Sequence, residues 1–232
     1  MSTVSHELRT PTTSIVGYTE MLRDGSAGEP LPEQLPLLDA IARNGERLIG
    51  IASDLLTLAG LESGNAIWER GAVDLTQLVA HGQEAMRPML VSRNLTVDFR
   101  VPDEEVTVIG DAGHLDRVLM NLLSNAVKFT EDDGHITCTL ETDDGEARLT
   151  VVDTGIGIPE EEQGELFSKF FRSSTAQDRA IQGTGLGLSI ISSIVAAHGG
   201  RIDIRSAHLE GTTVTVRLPL MRHPSRQEFT TG

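Results

Sequence analysis

The stretch LLDAIARNGERLIGIASDLLTLAG (37–60) decides the architecture of the N-terminal part. Its apolar positions Leu38, Ile41, Leu48, Ala52, Leu55 and Ala59 recur in a three-four step, with Gly45 filling the one gap. That period is the seam of a helix packing on other helices, and Leu37, Ile51 and Leu58 widen it into the broad stripe of a bundle helix. Upstream, Val4, Leu8, Pro11, Ile15, Tyr18 and Leu22 keep the same step, and the turn-rich DGSAGEPLP (24–32) joins the two segments. A two-helix hairpin cannot hide both seams by itself. A four-helix bundle assembled from two chains is the economical way to bury them, so a homodimer is expected. Two readings of Thr10-Pro11 stand side by side. Either Thr10 caps a helix that Pro11 begins, or the helix runs through Pro11 and loses the bond to the Glu7 carbonyl.

Beyond Ser63-Gly64 the period changes. Asp74 is placed to cap a helix running to about Ser92, and strand-like alternation follows at 95–101, 106–110, 135–142, 146–153, 201–207 and 212–218. Helical patterns occupy about 112–129, 160–170 and 186–198. Strands and helices mixed at this density predict an α/β sandwich with its helices on one face of the sheet. The chain is therefore read as α+β: residues 1–66 a helical hairpin domain, 67–221 an α/β sandwich domain, and 222–232 a polar tail.

Composition narrows the function classes. The 232 residues carry 34 acidic and 19 basic side chains, a formal charge of −15, which excludes a nucleic-acid binder that neutralises phosphates with a basic face. No window approaches 18 consecutive apolar residues and no signal peptide opens the chain, so no direct membrane contact is expected of it. The lone Cys138 reads as a small buried hydrophobe in a strand, and one cysteine fits a reducing, cytoplasmic setting.

Four groups of residues carry chemistry. His6 falls outside the seam of the first helix and Glu7 flanks it, with Thr10 and Thr13 on the same exposed face. An exposed imidazole beside a carboxylate is either an ordinary solvated pair or a nucleophile whose proton the carboxylate accepts. Asn121 and Asn125 stand four apart on one helical face, with Lys128 three further on. Amides set among Val118, Leu119, Leu122 and Leu123 need partners. A buried amide network would satisfy them, and so would magnesium holding phosphate oxygens, with Lys128 as a point charge. Asp153 ends a strand, and Gly155 and Gly157 just after it let the backbone approach a ligand. GTGLGL (183–188) opens a helix, where free N–H groups can meet phosphate. It is not the dinucleotide fingerprint, because Leu188 stands where the third glycine belongs. Between the two glycine loops, FSKFFR (167–172) crowds three of the six phenylalanines, either as core or as the base of a lid. The polar SSTAQDRAIQ (173–182) that follows shows no apolar period, and mobility is expected from Arg172 to Gln182.

Taken together, SHELRTP (5–11), NLLSNAVKFT (121–130), DTGIGIP (153–159), FSKFFR (167–172) and GTGLGL (183–188) resemble the H, N, G1, F and G2 boxes of bacterial two-component sensor histidine kinases. The type is a HisKA phosphoacceptor domain followed by an ATP-binding domain of the GHKL fold. The resemblance implies that His6 is phosphorylated by ATP, that Glu7 is the base, and that Thr10 helps place water for a phosphatase reaction. It implies that Asn125 holds magnesium, that Asn121 shares in metal or phosphate binding, and that Lys128 touches phosphate. Asp153 would accept the adenine amino group, in a pocket that Gly155 and Gly157 shape. Gly183, Gly185 and Gly187 would hinge the lid and meet the phosphates, with Phe170, Arg172, Thr184 and Leu186 also around the nucleotide. The implied partners are a second copy of the chain and the receiver domain of a response regulator. Only five residues precede His6, which implies the catalytic portion of a longer, membrane-attached kinase, and Thr12 replaces the leucine common in the family. Two rivals are weighed. A GHKL ATPase of gyrase or mismatch-repair type would carry a glutamate at position 121. A silent docking module would have lost Asn125, Asp153 or the glycines, and none is lost.

Overall fold

The computed structural model describes residues 3–63, 68–179 and 181–221; the side chains of residues 3–9 and of Glu62 lie outside that description. The chain divides into two units, Met1–Ala66 and Ile67–Gly232. In the first, helix α1 (Thr3–Arg23) and helix α2 (Leu35–Glu62) form a hairpin. Helix α1 starts well before Thr10, so the capping reading of Thr10-Pro11 is corrected. Pro11 sits inside the helix, where its missing N–H leaves the Glu7 carbonyl without its helical donor. The hairpin closes where side chains are small: Val16 packs on Gly45, Ala42 and Leu58 are buried, and Arg23 pairs with Asp39 at 3.3 Å. The apolar stripe is only half covered in this way. Ile41, Leu48 and Leu55 on α2 and Ile15, Tyr18 and Leu22 on α1 stay exposed, Leu48 at 56% and Tyr18 at 68%.

The second unit is built on a five-stranded sheet ordered β2-β4-β5-β7-β6, from β2 (Thr96–Arg100), β4 (His135–Asp143), β5 (Glu146–Asp153), β6 (Arg201–Ala207) and β7 (Gly211–Pro219). Only β2 and β4 run parallel; the other pairs are antiparallel. A short ribbon pairs β1 (Gly71–Asp74) with β3 (Thr107–Gly110). Helices α3 (Leu75–Leu90), α4 (Ala112–Phe129) and α6 (Gly187–Ala197) supply the second layer, and the five-residue helix α5 (Ser174–Asp178) lies between α4 and α6 in sequence. Helix α3 begins as its cap demands, with the Asp74 carboxylate accepting from the Thr76 and Gln77 N–H groups. The core lies between the layers, built from the buried Ile136, Cys138 and Leu140 of β4, Ala147, Leu149 and Val151 of β5, and Leu119, Leu123, Ile190 and Ile194 of the helices. Burial pushes the Cys138 thiol up to about 12, so it stays protonated and inert.

One helical expectation changes, and one short helix forms where no period is read. Residues 160–170 do not form an α-helix; a 3-10 helix covers only Glu160–Glu165, where three successive glutamates and Gly164 offer no apolar face to pack. Within 173–182, where the sequence shows no apolar period, the short α5 forms with the Ser173 hydroxyl capping Ala176 and the Glu162 carboxylate accepting from Ser174. Ala176 is buried.

An aromatic clasp holds the start of this unit. The Trp68 ring lies 4.8 Å from His198 and 5.0 Å from His114, centroid to centroid, and Arg70 sits 5.1 Å above Trp68 while donating to the Ala197 carbonyl at 3.0 Å. The Asp111 N–H can only donate, so His198 Nε2 accepts it at 3.0 Å and the proton resides on Nδ1, facing the Ile194 carbonyl at 2.8 Å. Burial lowers the His198 pKa, assisted by the neighbouring His114 and Arg70 and opposed by the Ile194 carbonyl and Asp111. A depressed folded pKa means that the contribution to stability is present above the ordinary histidine value and lost as pH falls through the folded one. From about pH 7.5 to about pH 5.5, the thermal midpoint followed by Trp68 fluorescence should therefore drop more in the wild type than in His198→Gln. Equal drops would show that His198 does not titrate with unfolding. Trp68 is the only tryptophan, so the signal is unambiguous.

Candidate functional site

Strand parity places the first site residue. Asp153 continues the inward alternation Ala147, Leu149, Val151, so the pleat delivers its carboxylate to the buried face of the sheet, where it is 9% exposed. Its Oδ1 accepts the Gly155 N–H at 2.9 Å, and the Thr212 N–H also donates to it. Burial pushes this carboxyl above the usual aspartate range, and the two N–H donors do not cancel the effect. The result is a desolvated acceptor at the end of a strand.

The loop after Asp153 is held by close backbone packing. Gly157 has φ +60°, and a Cβ there would overlap the Ala207 carbonyl oxygen. Ile156 donates to the Phe129 carbonyl at 3.0 Å and its own carbonyl accepts from Leu209 at 2.8 Å, so the loop is tied to both α4 and the β6–β7 turn. Gly157→Ala should cost about 2 kcal/mol or more, because it adds left-handed strain to a backbone clash. Gly164→Ala, which meets nothing, should change stability by less than about 0.5 kcal/mol. Urea unfolding of the two variants decides; similar midpoints would mean that the loop relaxes freely.

On α4, Asn121 and Asn125 are half-buried beside a fully buried ridge of Val118, Leu122 and Ala126, and Lys128 is exposed. Their amides were expected to be buried; their shared face instead remains partly open. Among the described residues no hydrogen bond engages either side-chain amide. A Cβ on Gly187 would stand 3.4 Å from Asn121 Oδ1 and 4.0 Å from Asn125 Nδ2, so the first turn of α6 abuts both asparagines. The α6 N-terminus has no side-chain cap, and Leu186, fully buried, donates its N–H to Thr184 Oγ1 at 3.2 Å. Free N–H groups and the positive end of the helix dipole thus lie next to the Asn121 amide oxygen and the Asn125 amide group, and an uncapped helix start beside polar side chains suits a phosphate. The phenylalanine segment joins it from the far side. Phe170, 60% exposed with φ +65°, donates its N–H to the Gly185 carbonyl at 2.9 Å, and a Cβ on Gly185 would lie 2.6 Å from Phe171 O. Arg172 donates to the Ile181 carbonyl, closing the base of the α5 segment.

Residues 1–64 match the His Kinase A (phospho-acceptor) domain, and residues 110–222 match the histidine kinase-, DNA gyrase B- and HSP90-like ATPase. The chain belongs to the sensor histidine kinases. It is 34% identical over 227 residues to the signal transduction histidine-protein kinase BaeS of Escherichia coli, covering 98% of this chain and 48% of BaeS. The probable sensor histidine kinase TcrY of Mycobacterium tuberculosis is 38% identical over 216 residues, 93% of this chain and 44% of the relative. Among solved structures, full-length ShkA in complex with AMPPNP superposes with a TM-score of 0.79 at 29% identity, covering 95% of this chain and 45% of ShkA. The mycobacterial kinase MprB superposes at 0.57 with 30% identity, covering 66% and 99%. This histidine kinase chain spans less than half the length of the curated relatives named.

The geometry of this kinase chain brings together Asn121, Asn125 and Gly187, and separately Asp153, Gly155 and Gly157. It treats Gly183 differently, since nothing would meet a Cβ there and close approach is not what that glycine serves. His6 and Glu7 lie on the backbone of α1, but their side chains fall outside the described residues, and with them the expectation that His6 faces water. Thr10 is exposed on the same helix. Motif reading missed Gly211 and Thr212, which close the Asp153 end: a Cβ on Gly211, at φ +97°, would overlap the Asp153 carbonyl oxygen. The signal was present as Gly-Thr-Thr (211–213) at a strand start, yet only the register Asp153↔Thr212 gives it meaning.

Proposed function

We infer that this chain binds ATP in its second unit, phosphorylates His6 and passes the phosphoryl group to an aspartate on the receiver domain of a response regulator. The observation that carries the reading is the meeting of the uncapped α6 N-terminus with the unengaged amides of Asn121 and Asn125. Adenine is recognised through its amino group by Asp153, and the phosphates by the first N–H groups of α6 and by Lys128. Asn125, with Asn121, would hold magnesium through amide oxygens. That donor set suits a hard ion whose remaining ligands are phosphate and water, and among the described residues no cluster of His, Cys, Asp or Glu competes for it. Held there, magnesium would neutralise charge on the phosphates. A nitrogen of His6 attacks the γ-phosphorus in line, a P–N bond forms as the bond to the ADP oxygen breaks, and the proton passes to Glu7. Positioning and charge stabilisation account for most of such a rate. Thr10 would help place the hydrolytic water when the phosphatase reaction runs.

The open stripe of Ile15, Tyr18, Leu22, Ile41, Leu48 and Leu55 supports assembly with a second copy into a four-helix bundle. Among the described residues no helix is long and apolar enough to cross a membrane, and we place this segment on the cytoplasmic side of a larger membrane-attached sensor. The test is incubation with γ-labelled ATP and magnesium, then chase with a panel of receiver domains. Acid-labile, base-stable label that moves to a receiver is expected. ATP hydrolysis with no label on protein would favour the gyrase-like reading.

A further inference from the structure

Three residues stand in one row across three strands. Asp153 is the register partner of Thr212, and Thr212 is the register partner of Ser206, so their side chains share the inner face of β5, β7 and β6. Ser206 is the hub of this row. Its Oγ lies 2.8 Å from the Gly211 carbonyl, 2.9 Å from Thr212 Oγ1 and 2.9 Å from the Ile158 nitrogen. Gln163 holds the same corner, donating to the Ser206 carbonyl at 2.8 Å and the Ile158 carbonyl at 3.1 Å.

Proton counting assigns every direction. A carbonyl has no proton to give, so Ser206 donates its only one to Gly211. A backbone N–H only donates, so Ile158 donates to Ser206. The contact with Thr212 must then run from the Thr212 hydroxyl to Ser206, which is left with both acceptor positions filled. Thr212 has used its proton and retains lone pairs alone. Beside it, Asp153 also offers lone pairs, with the Gly155 and Thr212 N–H groups already directed at it.

We propose that Ser206 is a positioning residue for base selectivity: by taking the Thr212 proton it makes the Asp153 edge of the nucleotide pocket an acceptor-only surface that accepts a 6-amino purine and rejects a 6-oxo purine. This rests on the reading of Asp153 as the adenine acceptor. An amino group donates into such an edge, whereas the oxo group of guanine brings lone pairs against lone pairs. Without Ser206 the Thr212 hydroxyl rotates and can donate to an oxo group. The Ser206 hydroxyl also ties the 153–159 loop to β6 by accepting the Ile158 N–H, which is why its loss also lowers affinity.

The experiment is calorimetric titration of the full chain with ATP and with GTP, for wild type, Ser206→Ala, Ser206→Thr, Thr212→Val and Asp153→Ala. In Ser206→Ala the ratio of ATP to GTP affinity should fall at least about tenfold. Ser206→Thr, which keeps the hydroxyl, should restore the ratio. Thr212→Val removes the hydroxyl while leaving the Ser206 side chain in place with its bonds to Gly211 and Ile158, and should also lower the ratio, so the proposal remains testable if Ser206→Ala fails to fold. A purely structural Ser206 would weaken both nucleotides equally. Weakened ATP binding in Asp153→Ala with an unchanged ratio in Ser206→Ala and Thr212→Val overturns the proposal and leaves the site reading standing. Undiminished ATP binding in Asp153→Ala overturns both.

Discussion

Replacing His6 by Gln should reduce labelling from γ-labelled ATP to background, a loss of at least about 1,000-fold, with ATP affinity unchanged. The chain has seven histidines, and only His6 lies on the helical hairpin. His114 and His198 pack on Trp68, and both ring nitrogens of His198 are already within hydrogen-bond distance of backbone groups. His81, His135 and His208 are exposed on the ATPase unit without an acid next to them in sequence, and His223 lies outside the described residues. Glutamine matches much of the imidazole's polarity and bulk but offers no nitrogen nucleophile. Nucleotide affinity is the internal control, because the residues assigned to ATP belong to the other unit. Normal labelling of His6→Gln would overturn the assignment of the phosphoacceptor.

Asn125→Ala should remove the magnesium-dependent part of ATP binding, a loss on the order of 100-fold. Its effect on stability should be small or favourable. The Asn125 amide makes no hydrogen bond among the described residues, it is half-buried, and alanine is the better helix former at an interior position of α4. Weakened binding with an unchanged or raised thermal midpoint separates a ligand-holding residue from a structural one. Binding measured with magnesium and with a chelator in wild type and variant decides. If the two proteins gain equally from magnesium, Asn125 does not hold the ion. Asp153→Ala should behave differently, weakening ATP in both conditions, because a base contact does not depend on the metal.

Elements whose signal is local were legible without the fold. The three-four step from Leu38 to Ala59 became α2, and Asp74 caps the helix that follows it. The parity of β5 is the strongest case. Once Ala147, Leu149 and Val151 are inward, the two-residue period carries Asp153 inward too, and its desolvation follows from its place in the sequence. Asn121, Asn125 and Lys128 share a helical face for the same reason of period.

What failed to show in the sequence depends on partners far along the chain. Helical period places a stripe at an angle on a helix but does not say what covers it, so only the α1–α2 packing decides that Ala42 and Leu58 are buried while Leu48 and Leu55 stay open. Helix α5 is too short to show a period, and part of its cap comes from Glu162, twelve residues earlier. Strand β1, of four residues, exists because β3 pairs with it. The Trp68 clasp joins residues 46 and 130 positions downstream, and Gly187 meets Asn121 across 66 residues. Local chemistry therefore determined which residues could act. Tertiary packing decided which of them meet, because the free energy of a contact between distant segments belongs to the pair and is carried by neither segment alone.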